Sequence, residues 1–410
     1  MWRKATAACL VLAPVALAVS TGVDPALGDD QSYGAYRDHP AATQWHALLL
    51  HWAWALLAVG FIGLLRPIRQ RGRALAAIGW VATLLGLVTF SGLMAFDIGL
   101  LALEQQPALT DAQLAAYDDT IGSYGWARWG WQVPGIAGWA IALTVVPIAA
   151  ARAKVITWWT AGLALAGTVL YLLFAISPVP LCLAGPVVLV VAYGLAARQM
   201  LRHPQQDATF PRRAGVVCLV AAPLSFAIGM ATVPPGAGDT ATYADHPALA
   251  QASAFFLHLA WVLFVPAVIA VAERGGRFTR AAAFVTVLAL INFSALMLGD
   301  YTDLAARQAL GNDVADRARE LTDGYALFTF GWALPGMVFS LLGLIVVAIG
   351  AARDGLVRWW VPALVVAGFA GFFALPFGPL GVVGPAVLVV GFGLLGAALR
   401  RTPVAAPAMT

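Results

Sequence analysis

Two short stretches of the chain repeat the same set of residues able to ligate a metal or move a proton. Asp38-His39-Pro40 is followed by His51, and Asp245-His246-Pro247 by His258, with the same spacing of twelve in each (51 − 39 and 258 − 246). In each stretch an indole lies three residues after the second histidine, in His51-Trp-Ala-Trp54 and His258-Leu-Ala-Trp261. Three residues apart on a helix is one face, so Trp54 and Trp261 share the side of their histidines. A carboxylate follows in each half, Asp97 after Phe90-Ser91 and Asp300 after Phe293-Ser294. Aspartate and imidazole suit a divalent metal or a proton relay. His39, His51, His246 and His258 are therefore the candidate metal ligands, although no metal-binding spacing exists in the sequence. The structural alternative is equally physical. Asp-His-Pro can be a helix start with proline in the first turn, and a buried imidazole can bond a neighbouring carbonyl or hydroxyl.

Further polar features surround this set. Pro134-Gly135 and Pro335-Gly336 lie inside apolar runs, where proline frees a carbonyl and bends a helix, so Pro134 and Pro335 are candidates to line a cavity. His46 has no counterpart, because Ser253 takes the matching position, and Arg128 is matched by Thr329. Such asymmetry marks either a specialised copy or drift. The chain has no GxxxxGK[ST] loop, HExxH motif or GxSxG elbow, and no lysine within an apolar run. No reaction class emerges from these residues, and no cofactor is specified.

The elements that must hold these groups are membrane helices. Of 410 residues 61% are hydrophobic and 11% charged, with mean hydropathy +0.82, where soluble domains carry roughly a quarter charged residues. Apolar runs long enough to cross a bilayer are expected near 5–23, 44–65, 74–96, 129–151, 156–176 and 180–197, then near 214–232, 252–272, 281–299, 327–350, 359–376 and 380–399. The fold class is all-α integral membrane, with about twelve spans. Counting inward from the start of the second run places His51 and His258 roughly 8–10 Å below the surface.

Lys and Arg resist translocation and collect in cytoplasmic loops. With the N-terminus inside, 19 of 24 basic residues fall on that side and 17 of 20 acidic ones outside. Both termini are accordingly expected in the cytoplasm, at the cell membrane. Arg3, Lys4 and the Ala16-Leu17-Ala18 triplet imitate a cleavable signal, but Cys9 to Pro14 matches the internal Cys218 to Pro223, so a retained first helix is expected. The basic balance reflects insertion and anionic headgroups, and nucleic acid is not an expected partner. The three cysteines give no disulfide pattern.

Internal matches run the length of the chain. Tyr36 to Pro40 matches Tyr243 to Pro247, Phe90 to Asp97 matches Phe293 to Asp300, Gly130 to Gly135 matches Gly331 to Gly336, and Pro180 to Pro186 matches Pro379 to Pro385. The offset falls from 209 (223 − 14) to 207 (258 − 51), 203 (300 − 97), 201 (335 − 134) and 199 (385 − 186). Two tandem six-helix repeats, 1–205 and 206–410, are expected. An even number of spans inserts both the same way round, related by a pseudo-two-fold axis along the membrane normal. The acidic loops near 98–127 and 300–325 read as helical and are expected to cap the outer mouth with the Asp-His-Pro loops.

The six-plus-six plan is similar to that of the major facilitator transporters. The similarity covers helix count only, since Arg66-Pro-Ile-Arg-Gln-Arg-Gly-Arg73 lacks the acidic partner of their loop motif, and no family follows from it. Parallel duplication favours solute transport or binding in a cavity between the repeats, lined by His51, His258, Trp54, Trp261 and the Pro-Gly kinks. A non-catalytic scaffold or assembly partner, and a haem or metal redox protein ligated by His51 and His258, are the alternatives. The expected partners are the lipid bilayer and a small-molecule or ion ligand.

Overall fold

The computed structural model describes residues 2–28, 33–203, 212–236, 242–376 and 379–401. Among the described residues ten long apolar helices and two shorter ones follow one another: α1 (Trp2–Val23), α2 (Pro40–Leu65), α3 (Arg73–Glu104), α4 (Gly125–Arg152), α5 (Trp158–Phe174), α6 (Leu181–Arg202), α7 (Arg213–Ala231), α8 (Pro247–Arg274), α9 (Arg277–Leu310), α10 (Ala326–Arg353), α11 (Trp360–Ala374) and α12 (Leu380–Arg401). Ten of them are long and apolar enough to cross a membrane. The exceptions are α5 and α11, with 17 and 15 residues. At 1.5 Å per residue α11 spans about 22 Å, short of the roughly 30 Å hydrocarbon core. No strand occurs among the described residues. Leu172, Leu173, Phe339 and Phe373 are more than half exposed, an apolar surface that fits lipid contact in a multi-pass membrane protein. The expected division between 1–205 and 206–410 falls at 204–211, outside the described residues.

Neighbour relations within each half follow the order of the chain. α1 packs along α2 and α6, α3 against α4 and α5 against α6; likewise α7 packs along α8 and α12, α9 against α10 and α11 against α12. Glycine permits the closest of these approaches. A Cβ built on Gly86 of α3 would lie 2.2 Å from the Cα of Gly138 on α4, so the two backbones touch with no side chain between them.

Proline shapes the entry of α4 and α10. Pro134 and Pro335 have no N–H for the carbonyl four residues earlier, and each is preceded by a π-helical turn, Arg128–Gln132 and Thr329–Ala333. The expected kinks are thus realised as widened turns. The Gly331 carbonyl, left without the Pro335 N–H, accepts from Trp52 Nε1 at 3.3 Å.

One end of the bundle carries the acidic loops and the other the basic ones. At the acidic end, helix Asp111–Ser123 opens with a reciprocal Thr110/Gln113 cap and packs on Leu298–Leu310 of α9, while helix Asn312–Gly324 packs on Ala95–Glu104 of α3. The Tyr124 hydroxyl donates to Gln308 Oε1 at 2.6 Å and that of Tyr325 to Gln105 Oε1 at 2.8 Å. Each acidic helix therefore reaches across to the other half, and Asn312–Gly324 packs on Leu298–Leu310 of its own half as well. At the basic end Arg66 donates to Glu273 Oε1 at 2.5 Å, and between the ends Gly92 of α3 meets Ala295 of α9.

Candidate functional site

His51 and His258 are almost fully buried and point into the seam between the halves. On α2, His51 Nδ1–H donates to the Ser91 carbonyl at 2.9 Å. Its Nε2 meets Oδ1 of the Asn292 side-chain amide of α9; with the proton on Nδ1, a neutral ring is paired there once that amide is turned to present its NH2. The ring stacks on Trp332 of α10 with centroids 3.9 Å apart. On α8, His258 Nδ1–H donates to the Ser294 carbonyl at 3.1 Å, the Thr89 hydroxyl of α3 donates to Nε2 at 3.1 Å, and the ring stacks on Trp131 of α4 at 3.7 Å. The indoles are anchored in turn: Trp332 Nε1 donates to the Asn292 carbonyl at 3.1 Å and Trp131 Nε1 to the Thr89 carbonyl at 3.0 Å. Each histidine is thus clasped by the third and fourth helices of the other half, and all four ring nitrogens are engaged.

The remaining expected residues are dispersed. Trp54 packs on Phe90, Trp139 and Tyr171, and Trp261 on Phe226, Phe264 and Phe293, each within its own half. Pro134 and Pro335 act through the turns that carry Trp131 and Trp332. His39 and His246 sit exposed at the starts of α2 and α8, with Pro40 and Pro247 in the first turn and no side-chain cap bond. Among the described residues no group of three or more His, Cys, Asp or Glu side chains is placed to hold a metal ion. Asp300 has Asp303 and Arg319 as its charged neighbours, whereas Asp97 has His46 and Asp24.

The side chains with chemistry to spare converge around His46, at the acidic end of the first half. Five residues along α2 from His51 is a rotation of about 140°, so His46 faces α1 and α3 while His51 faces the seam. His46 Nδ1–H donates to the Ser20 carbonyl of α1 at 3.0 Å, and the Ser20 hydroxyl donates to the His46 carbonyl at 2.9 Å. The other nitrogen, Nε2, looks at Asp24 Oδ2 at 3.7 Å and Asp97 Oδ2 at 3.9 Å, both beyond hydrogen-bond length. The Tyr36 hydroxyl hydrogen-bonds Asp97. Foremost the Asp97 charge, then burial, then Asp24 and Glu104 push this phenol well above its usual range, so it stays a donor. Glu104 is buried and accepts from the Tyr36 and Arg37 backbone N–H groups at 3.1 and 3.0 Å.

The second half lacks this arrangement. Ser253, at the His46 position, donates its hydroxyl to the Gly229 carbonyl at 3.0 Å, repeating the His46–Ser20 link between the first two helices. Val233 stands in register with Asp24, next to Pro234 and Pro25, and Arg307 in register with Glu104 (307 − 104 = 203). Arg307 is bonded to Asp303, Asp316 and Asn312. A serine is therefore enough for the helix–helix bond, and the imidazole adds a second nitrogen aimed at two carboxylates.

Comparison with family models, curated proteins and solved structures returns no match. Sequence reading singled out His46 by its missing counterpart but not Asp24, Tyr36, Ser20 or Glu104, which only the tertiary fold brings together. Asn292 and Thr89 sit beside the matched Phe-Ser pairs, and Trp131 and Trp332 within the matched Gly-Trp motifs. Their recurrence was the available signal. Their exchange across the seam is not a local property of the sequence.

Proposed function

We propose that the protein binds or transports a solute at the acidic mouth of its first half, and that it consists of two parallel six-helix repeats joined along a dry seam. Counting α5 and α11 as spans makes six helices in each repeat, with the acidic end outside and both termini in the cytoplasm of the cell-membrane-inserted chain. The exchanged contacts support a two-fold relation: His51 and His258, Tyr124–Gln308 and Tyr325–Gln105 pair matched positions across the seam. Gly92 meets Ala295 (295 − 92 = 203) and Arg66 meets Glu273 (273 − 66 = 207), each a residue facing its own counterpart as an axis requires.

One observation carries the siting: His46 Nε2, Asp24 and Asp97 converge without bonding one another, in one repeat only. The seam is a weaker candidate for a solute, because His51 and His258 have no nitrogen to offer. The haem or metal redox reading asks for those same nitrogens. The scaffold reading draws on the seam's closure, which suits a rigid body.

A melting screen against small solutes separates these readings. Full-length protein in detergent is tested beside an Asp24→Val/His46→Ser variant, which carries the second repeat's residues, and beside His51→Phe. The expected result is a solute that raises the melting temperature of wild type and of His51→Phe but not of the Asp24→Val/His46→Ser variant. Stabilisation lost only in His51→Phe would move the site to the seam. A panel in which nothing stabilises the wild type would favour the scaffold.

A further inference from the structure

We infer that the first-repeat pocket takes a protonated primary amine, held by Asp24 and Asp97 in front of His46. This rests on the siting above and names the class of solute. Three acceptors converge there: Asp24 Oδ2, Asp97 Oδ2 and, in a neutral ring, His46 Nε2. The ring tautomer is set by the Ser20 carbonyl, which requires the proton on Nδ1. His46 is 7% exposed, and among the described residues Nε2 makes no hydrogen bond, so in a neutral ring its lone pair faces two carboxylates that repel it unless a donor lies between. An ammonium group has three N–H donors and one positive charge, matching the three acceptors and the surplus of negative charge. Wrapping an ammonium tripod at ordinary N–H···O lengths sets the acceptors about 4.7 Å apart, so they must open by roughly 0.8–1.0 Å.

The charge balance points the same way. The groups around His46 are Asp24 after α1, Tyr36 before α2, and Asp97 and Glu104 on α3; Tyr171 of α5 and Cys182 at the start of α6 also feel Asp24. Two carboxylates thus share one imidazole, and Glu104 adds a third negative charge beside Tyr36. Arg37, the adjacent base, is exposed and paired with Asp38. In the second repeat Arg307 and Arg319 stand among Asp300, Asp303 and Asp316, so the acids there already have their cations. Asp24 and Asp97, 16% and 20% exposed, are themselves partly accessible.

Methylammonium chloride is the probe, titrated calorimetrically into full-length protein in detergent, with sodium and potassium chloride at equal ionic strength and ammonium chloride as a separate arm. Saturable methylammonium binding is expected in the wild type. Asp97→Asn and Asp24→Asn should each weaken it at least tenfold. His46→Ser, which keeps a hydroxyl for the Ser20 carbonyl as Ser253 does for Gly229, removes the third acceptor and should also weaken binding at least tenfold. Ammonium binding without methylammonium binding would restrict the pocket to the free ion and overturn an organic amine. Equal responses to sodium or potassium, no saturable binding in the wild type, or an affinity unchanged in His46→Ser would each overturn the inference. If methylammonium fails while another solute still depends on Asp24 and His46, the siting survives and only the amine assignment falls.

Discussion

Replacing His51 or His258 by phenylalanine lowers stability by about 1–3 kcal/mol each, while solute binding in the first-repeat pocket is retained. Phenylalanine keeps the ring stacked on Trp332 or Trp131 but removes both nitrogens. In His51→Phe the Ser91 carbonyl and the Asn292 amide lose their partner, and in His258→Phe the Ser294 carbonyl and the Thr89 hydroxyl do. These groups are buried, so no water replaces the lost bonds. Ser91 and Thr89 lie on one helix two residues apart, and the double variant is therefore expected to depart from additivity. Melting of the purified variants measures the loss. Unchanged melting temperatures in both would remove the clasp from the account.

Gly86→Leu is expected to be more damaging still, costing roughly 3 kcal/mol or more through overpacking. The added Cβ would lie 2.2 Å from the Gly138 Cα, so relief must come from moving α3 away from α4, since no flexible side chain can yield. That displacement would draw Thr89 and Ser91 of α3 away from Trp131 of α4 and loosen both histidine clasps. Gly194→Ala is the control. No atom lies within 4 Å of a Cβ built there, and a helical glycine replaced by alanine gains up to about 1 kcal/mol. Equal melting of Gly86→Leu and wild type would show that the α3–α4 crossing is looser than described.

Which parts of this arrangement the sequence exposes follows from where each constraint acts. The bilayer demands about 20 apolar residues per crossing, a local requirement, so the helices are readable as runs of residues. The two short ones, α5 and α11, read as full spans because their flanking turns are equally apolar. Pro134 and Pro335 were legible as irregularities, since the missing N–H acts within one helix turn. His51 and His258 were legible as polar residues inside apolar runs, and their burial fits the cost of exposing such a ring to lipid. Their stacking partners were not legible, because Trp54 and Trp261 share a helix face with them while Trp332 and Trp131 arrive from the other half. Asp97 read as a partner for His51, yet the helix rotation between His46 and His51 gives it to His46. Asp24 precedes a proline in a loop, where a carboxylate looks solvated, and only the packing of α1 on α2 brings it to the imidazole.

The claim on which the rest depends is that both repeats insert the same way round. With Cys9, Cys182 and Cys218 replaced by alanine, single cysteines at two pairs of exposed positions test it: Asp111→Cys and Asp313→Cys in the acidic-end helices, Gln70→Cys and Arg277→Cys in the basic-end turns. A membrane-impermeant maleimide is applied to intact cells and to permeabilised ones. The account predicts that 111 and 313 react in intact cells, and that 70 and 277 react only after permeabilisation. If the two members of either pair react from opposite sides, the repeats are inverted and the parallel arrangement is contradicted.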